Sequence, residues 1–323
     1  MISIVVVGRD RFSLTFKCLE TLIAHTPGDY ELIVVLGGVP KKIQDKLVSL
    51  YGKRAHFIFK QKFLNPAESR NLGLRAAKTD LAVLMDNDLY VRPGWLPPLL
   101  ECQRETGAAM VVPLILDAEK NIHTAGNDLY ITHENGKAYG SKVLRFHFQT
   151  FCESSNLKRA RTDYGELHCQ LVEAETARRL GVYDENILEV GECDSGLTWQ
   201  KAGCELWFEP RSVVFYQLPD KITDPDDIRF FSWKWNMRET LKGYLYFRQK
   251  WNLDISEYHY FREFLVTMNN KLGLLPRAFP CRFSLWIDHW LKIVHRRIEN
   301  LFNLWGYAKA RLYGYNEWLK DDY

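Results

Sequence analysis

The sequence predicts an α/β fold with a mostly parallel central sheet, followed by a mainly helical carboxyl-terminal region. Three observations carry this expectation. Uninterrupted aliphatic runs stand at residues 2–7 (ISIVVV) and 32–36 (LIVVL). Such runs suit strands buried on both faces of a parallel sheet. Stretches with apolar residues at helical spacing follow each run, which is the βαβ alternation. From Phe230 onward the chain holds seven of its ten Trp, with many Tyr, Lys and Arg.

The elements follow in order. After the first strand, Phe12, Phe16, Leu19, Leu22 and Ile23 place a helix over 12–25, closed by the turn Pro27-Gly28-Asp29. ELIVVL (31–36) is the second strand. Ile43, Leu47 and Leu50 give a helix over 40–51, and HFIF (56–59) the third strand. Residues 66–77 read as a helix with Pro66 at its start. LAVLM (81–85) is the fourth strand. MVVPLIL (110–116) is a fifth, residues 140–165 read as polar loops, and 170–200 as helix and loop. Residues 205–209 and 212–216 read as two short strands. A stripe from Ile287 through Trp290, Val294, Leu301 and Trp305 to Ala308 predicts a helix over 284–310. The division is therefore 1–225 for the sheet domain and 226–323 for a helical, Trp-rich region.

Composition narrows the function. The chain has 323 residues, 46% hydrophobic and 26% charged, enough for a sizeable core and unlike a disordered tail or a disulfide mini-protein. Lys and Arg number 43 against 40 Asp and Glu, a net charge of +3 that makes no electrostatic case for nucleic acid. The seven Cys are scattered and form no CxxC pair, so neither a zinc ribbon nor a disulfide framework is expected, and a reducing cytoplasm is. The start lacks a basic segment and a cleavage site, so no signal peptide is expected. No run of about 18 apolar residues suggests a spanning helix.

Ligands of parallel sheets sit at the carboxyl ends of strands. Asp86-Asn87-Asp88 stands there, directly after LAVLM. Two carboxylates one residue apart can reach one divalent cation, and hard oxygen ligands suit magnesium or manganese. The alternative is a polar turn or helix cap. Upstream, Arg70 and Asn71 near a helix start could meet phosphate or a base, or lie on an ordinary amphipathic helix. Downstream, Gly191-Glu192-Cys193-Asp194 offers a carboxylate that could take a proton from a hydroxyl, or simply a charged helix start.

Taken together, these segments resemble the inverting family-2 glycosyltransferases, whose catalytic domain is a GT-A-type nucleotide-sugar-binding fold. Ile2 to Arg11 fit the family's opening strand and loop. Asn65 to Gly73 fit its N-x-G-x-x-x-A-R-N-x-G segment in looser form, and Leu81 to Asp88 its strand ending in D-x-D. Tyr183 to Ile187, Gly191 to Asp194 and Ala202-Gly203 lie along its F-D-E…G-E-D…A-G frame. The resemblance covers about residues 2–217. It implies transfer of a sugar from a nucleotide diphosphate sugar to an acceptor hydroxyl of a glycan, glycolipid or protein, with inversion. It implies donor contacts from Val7, Gly8, Arg9, Gly37, Arg70, Asn71, Asp86 and Asn87. A Mn or Mg ion would be held by Asp86 and Asp88, and Glu192 or Asp194 would be the base, with Glu192 preferred.

The chain also departs from the pattern. Leu36-Gly37-Gly38-Val39 replaces the segment that contributes an acid to the nucleotide base. Val7-Gly8-Arg9 replaces Pro-Thr-Tyr in the first loop. The His common after the late strand is missing, with Tyr216-Gln217 in its place. His123-Thr124-Ala125-Gly126 resembles a short family segment but is read as a loop with a solvated His. His168 and Cys169 are read as a packed pair before an apolar helix face. Trp199 is either an acceptor-stacking ring or a core residue. The Trp-rich region either packs on the catalytic domain or a second subunit, or meets a membrane surface as a peripheral contact. Two other functions remain in view. One is a sugar nucleotidyltransferase, disfavoured because only Gly8 follows the first strand. The other is a non-catalytic binding protein of the same fold.

Overall fold

The computed structural model describes residues 1–255 except 135–136, 148, 153–155, 218–221, 223 and 236. The expected helix over 284–310 lies outside the described residues. Strands β1 (Ile2–Val7), β2 (Tyr30–Gly37), β3 (His56–Lys60) and β4 (Leu81–Asp86) alternate with helices α1 (Thr15–His25), α2 (Lys41–Tyr51) and α3 (Pro66–Ala76). There follow β5 (Leu89–Val91), α4 (Leu96–Thr106), β6 (Met110–Leu116), β7 (Ile122–Thr124), β8 (Asn127–Glu134), β9 (Lys137–Leu144), β10 (Ala160–Arg161) and β11 (Cys169–Glu173). The described chain ends with α5 (Ala174–Leu180), α6 (Gly191–Lys201), β12 (Leu206–Tyr216), α7 (Pro225–Lys234), α8 (Met237–Trp251) and β13 (Leu253–Ile255).

The main sheet runs β10-β12-β6-β11-β4-β1-β2-β3. Parallel pairing joins β4, β1, β2 and β3, as the buried aliphatic runs require. Inside the sheet β11 is reversed, pairing antiparallel with both β4 and β6, and β10 pairs antiparallel with β12 at the edge. Core clusters fill both faces, one around Ile4, Val34, Val83 and Leu99, the other around Val5, Ile33, Leu84 and Trp199. On the second face α3 approaches β1 so closely that a Cβ at Gly73 would lie 2.1 Å from Val5 Cγ1. That contact explains the glycine of the Asn65–Gly73 segment. Pro66 opens α3, and Asn65 and Glu68 form a reciprocal capping box, each side chain accepting the other's backbone N–H.

Three expectations are corrected. Residues 140–165 are not all loop: β9 runs through Leu144 and pairs with β8 and β13 in a separate three-stranded sheet. That sheet exposes Tyr130, Ile131 and Val143, so its strands lack the apolar runs that mark the core ones. The two short strands near 205–216 are one, β12, with a register shift between Glu209 and Val213. His168 directly precedes, and Cys169 opens, the buried strand β11 rather than a helix. At the other end, Phe12–Leu14 form a separate 3-10 turn before α1.

Helices α7 and α8 are anchored to the sheet domain. Phe230 stacks on Phe12 with ring centroids 4.5 Å apart. Asp227 accepts the backbone N–H groups of Phe12 and Ser13. Lys234 Nζ lies 2.8 Å from Asp10 Oδ1 in a pair that is buried on both sides. Among the described residues no helix is long and apolar enough to cross a membrane.

Candidate active site

The site forms where β1 and β4 end side by side, with Val7 opposite Asp86. Asn87 clamps this edge. Its backbone N–H donates to Val7 O, its side-chain amide donates to Arg11 O and Thr15 Oγ1, and its Oδ1 accepts from Arg9 N. The residue is fully buried and its side chain is fully occupied, so it holds the loop after β1 rather than facing a ligand.

Asp86 is the centre. Arg70 from α3 binds its Oδ1, Arg9 Nη1 lies 2.9 Å from its Oδ2, and His168 Nδ1 lies 3.3 Å from the same oxygen. Burial alone would raise the Asp86 carboxyl, but Arg70, then Arg9, outweigh it and hold it well below the usual carboxylate range. Arg70 is itself completely buried, and it also donates to Leu167 O and Pro66 O. It therefore orients Asp86 from behind and does not reach a phosphate in the open cleft.

Asp88 is the opposite case. Neither of its buried carboxylate oxygens has a hydrogen-bond partner. Burial, reinforced by the charge of Asp86, pushes its carboxyl up to about 8. Buried carboxylate oxygens that accept no hydrogen bond are costly, and Arg9 Nε, 3.8 Å from Oδ2, is too far to donate one, so the site suits a cation. Ligand atoms of Asp86, Asp88 and His168 all lie within 4.8 Å of one another. Two carboxylates and an imidazole suit manganese or a similar divalent ion, so the residues present fit the expected metal.

His168 corrects the sequence reading. It is buried, as expected, but lies beside the acids: it places an imidazole within reach of Asp86 and Asp88, where Tyr216-Gln217 offer none. The reversed strand explains its place. β11 begins where β4 ends, and Asp86 N donates to His168 O at 2.8 Å. No sequence spacing links the two residues; only the antiparallel pairing does. The His168 ring packs at a tilt of 45° against Tyr216 (ring centroids 4.3 Å apart), and its Nε2 lies 3.2 Å from His123 Nε2. Burial, then Arg9, draws the His168 ring down to about 4 despite Asp86, so it is neutral at pH 7, the form that binds a metal. His123 is thus part of this cluster and not a solvated loop residue.

The acidic segment starts α6. Glu192 pairs with Lys142 Nζ of β9 at 2.8 Å. Burial would raise its carboxyl, but Lys142 outweighs burial and holds it below its ordinary value. Asp194 instead faces α8: Trp251 Nε1 donates to Oδ1 at 2.7 Å, and Lys250 Nζ lies 2.8 Å from the same oxygen. Between the acids and the preceding Glu189 sits Val190, a β-branched residue at φ 59°. Strain of this kind persists where the surroundings over-determine it, often at functional sites. Glu189 and Glu166, missed in the sequence, are both pushed up to about 7 by burial, and Arg9 pulls on Glu166, Glu189 and Glu192 alike. Arg9 therefore acts on the DxD end and on these acids alike. The sequence signal for Glu189 was its place three residues before Glu192.

Other expected donor contacts divide. Gly8 extends the β1 loop, its N–H bonded to Val35 O. A Cβ at Gly37 would meet Leu64 Cγ at 2.5 Å and Lys62 O at 2.6 Å, so that space is filled by the chain itself. Asn71 donates to Tyr183 O and Glu185, on the outer side of α3, and does not join Asp86. Trp199 is completely buried in the core, which removes the acceptor-stacking alternative.

Comparison with known proteins agrees with this geometry. The model of glycosyl transferase family 2 matches residues 3–159. Pre-mycofactocin glycosyltransferases of Mycobacterium tuberculosis, strains CDC 1551 / Oshkosh and H37Rv, are each 26% identical over 161 residues, 49% of this chain and 31% of the relative. The chain thus spans about a third of the length of these curated relatives. Among solved structures, the crystal structure of GalNAc-T7 with UDP, GalNAc and Mn2+ superposes with a TM-score of 0.52 at 18% identity, over 82% of this chain and 54% of that one. That likeness is one of fold. Residues 3–159, which hold the parallel strands and the DxD edge, are thus similar to glycosyl transferase family 2, and the fold is of the GT-A type.

Proposed function

We propose that the protein transfers a sugar from a nucleotide diphosphate sugar to an acceptor hydroxyl, with inversion and with help from a divalent cation. The observation that carries this reading is the buried Asp88 carboxylate, which accepts no hydrogen bond, beside Asp86 and His168. Those three residues would hold the cation. When bound, a divalent ion supplies charge that stabilises a leaving diphosphate. GalNAc-T7, of the same fold, was crystallised with UDP and Mn2+, which accords with such a donor.

The chain's own residues supply the rest. Arg70 fixes Asp86 in one orientation. Glu192 is the general base: Lys142 keeps it ionised, and it is partly accessible. Asp194 is a tie between α6 and α8, because both its oxygens are engaged by Lys250 and Trp251. The acceptor hydroxyl gives its proton to Glu192 as its oxygen attacks the anomeric carbon, and the bond to the diphosphate breaks on the opposite face. Residues 1–225 carry this chemistry, and α7 pins the Arg9 loop through Asp227 and Lys234.

A thermal-shift screen of nucleotide diphosphate sugars with and without Mn2+ tests the proposal, since a ligand that binds only the folded state raises Tm. Stabilisation by one donor that needs Mn2+, followed by slow donor hydrolysis, is expected. No stabilisation by any nucleotide sugar under either condition counts against it.

A further inference from the structure

Two buried carboxylates in one cation site need a counter-charge before the cation arrives. In this chain a side chain already provides it. Arg9 Nη1 lies 2.9 Å from Asp86 Oδ2, and Arg9 Nε lies 3.8 Å from Asp88 Oδ2. One guanidinium is therefore hydrogen-bonded to Asp86 and within ion-pair reach of Asp88. It engages the very Asp86 oxygen that lies 3.3 Å from His168 Nδ1, the oxygen turned toward the third ligand. Arg70 differs: it binds the other oxygen, Oδ1, and is locked in the interior by two backbone carbonyls. Arg70 leaves Asp86 Oδ2 open; Arg9 occupies it.

The surroundings fit a side chain that moves on a fixed base. The Arg9 backbone is held by Asn87 Oδ1, and the next residue, Asp10, is tied to Lys234 and Trp235. The Arg9 side chain is 16% exposed, while those of Asp86 and Asp88 are each 1% exposed. Arg9 thus lies on the solvent side of the acid pair. A guanidinium stays charged at any ordinary pH, so it cannot yield to a metal by losing a proton, only by moving away.

We propose that Arg9 is a built-in competitor for the divalent cation: in the cation-free protein its guanidinium bridges Asp86 and Asp88, and it must swing off the pair for the cation to bind. This rests on the reading of Asp86, Asp88 and His168 as the cation site. A cation-competent state populated about one-tenth of the time lowers apparent cation affinity about tenfold. Arg9 thereby keeps the charged Asp86 paired in the cation-free protein and sets the cation concentration at which the site loads.

Titration of Mn2+ alone, followed by the electron paramagnetic resonance signal of the free ion, tests this on the full chain. Arg9→Met is expected to bind Mn2+ about tenfold more tightly than the wild-type protein. Folded R9M that binds Mn2+ equally or more weakly overturns the proposal. If R9M does not fold, Arg9→Lys carries the test, because it keeps the charge but loses the two-pronged reach; tighter Mn2+ binding supports the proposal, and equal or weaker binding overturns it. Asp88→Asn separates the two levels of the argument. Loss of Mn2+ binding in D88N with no gain in R9M refutes the competitor role alone. Wild-type Mn2+ affinity in D88N refutes the cation site itself.

Discussion

His168 Nδ1 lies 3.3 Å from Asp86 Oδ2 because the reversed strand β11 starts where β4 stops. The pairing makes an imidazole available at the end of a parallel strand, opposite the DxD acids. Replacing His168 with Ala is expected to weaken Mn2+ binding while leaving the secondary structure intact. Calorimetric titration of Mn2+ into both proteins checks it, and equal affinities would show that the imidazole takes no part.

Arg70 acts one step back, through Asp86. Outer partners of metal ligands typically contribute about 10–100-fold to metal affinity. Arg70→Met is expected to lose cation affinity in that range. It should also raise the Asp86 carboxyl, so that its Mn2+ binding gains more from a rise in pH than wild-type binding does. A pH series of Mn2+ titrations reads both effects.

Glu192 and Asp194 are expected to respond in opposite ways. Glu192→Gln should abolish transfer without lowering Tm, since Glu192 meets a part-exposed Lys142. Asp194→Ala should lower stability by about 2 kcal/mol, because it leaves Trp251 Nε1 without its acceptor and Lys250 with Asp184 alone. The Lys142 charge also sets the acid limb of the rate profile. With its carboxyl held below the ordinary value, Glu192 stays ionised as pH falls, and Lys142→Met should move that limb to higher pH. Unchanged turnover in E192Q, with turnover lost in D194N, would transfer the base assignment to Asp194.

Glu189 gives a pH-dependent stability of the reverse sign. Burial, only partly offset by Lys234 and Arg9, pushes its carboxyl up to about 7. Between about 4, the ordinary Glu value, and 7 the folded state then binds more protons than the unfolded one, so this group makes stability fall as pH rises. Glu189→Gln should flatten that slope. Urea unfolding of both proteins from pH 4 to pH 8 is the measurement, and parallel slopes would contradict it.

The parallel half of the sheet was legible because ISIVVV, LIVVL and LAVLM bury both faces, and such strands announce themselves by uninterrupted apolar runs. Asp86 and Asp88 were legible for the same reason, since the motif follows such a run directly. The β8–β9 hairpin was not, because one of its faces meets solvent. His168 was missed because its function comes from a strand pairing that no local pattern encodes. Arg70 and Asn71 are neighbours with similar promise in the sequence, yet one lies beneath Asp86 and the other turns to Tyr183 and Glu185. A helix separates adjacent residues by about 100°, and only the docking of α3 on β1 decides which one faces inward.

The central claim is that the Asp88 carboxylate awaits a cation that recruits the diphosphate of a sugar donor. Calorimetric titration of a nucleoside diphosphate into wild type and Asp88→Asn, each with and without Mn2+, tests it most directly. Binding by the wild type that requires Mn2+ and disappears in D88N is the expected result. Binding of equal strength in D88N, or in the wild type without Mn2+, would contradict it.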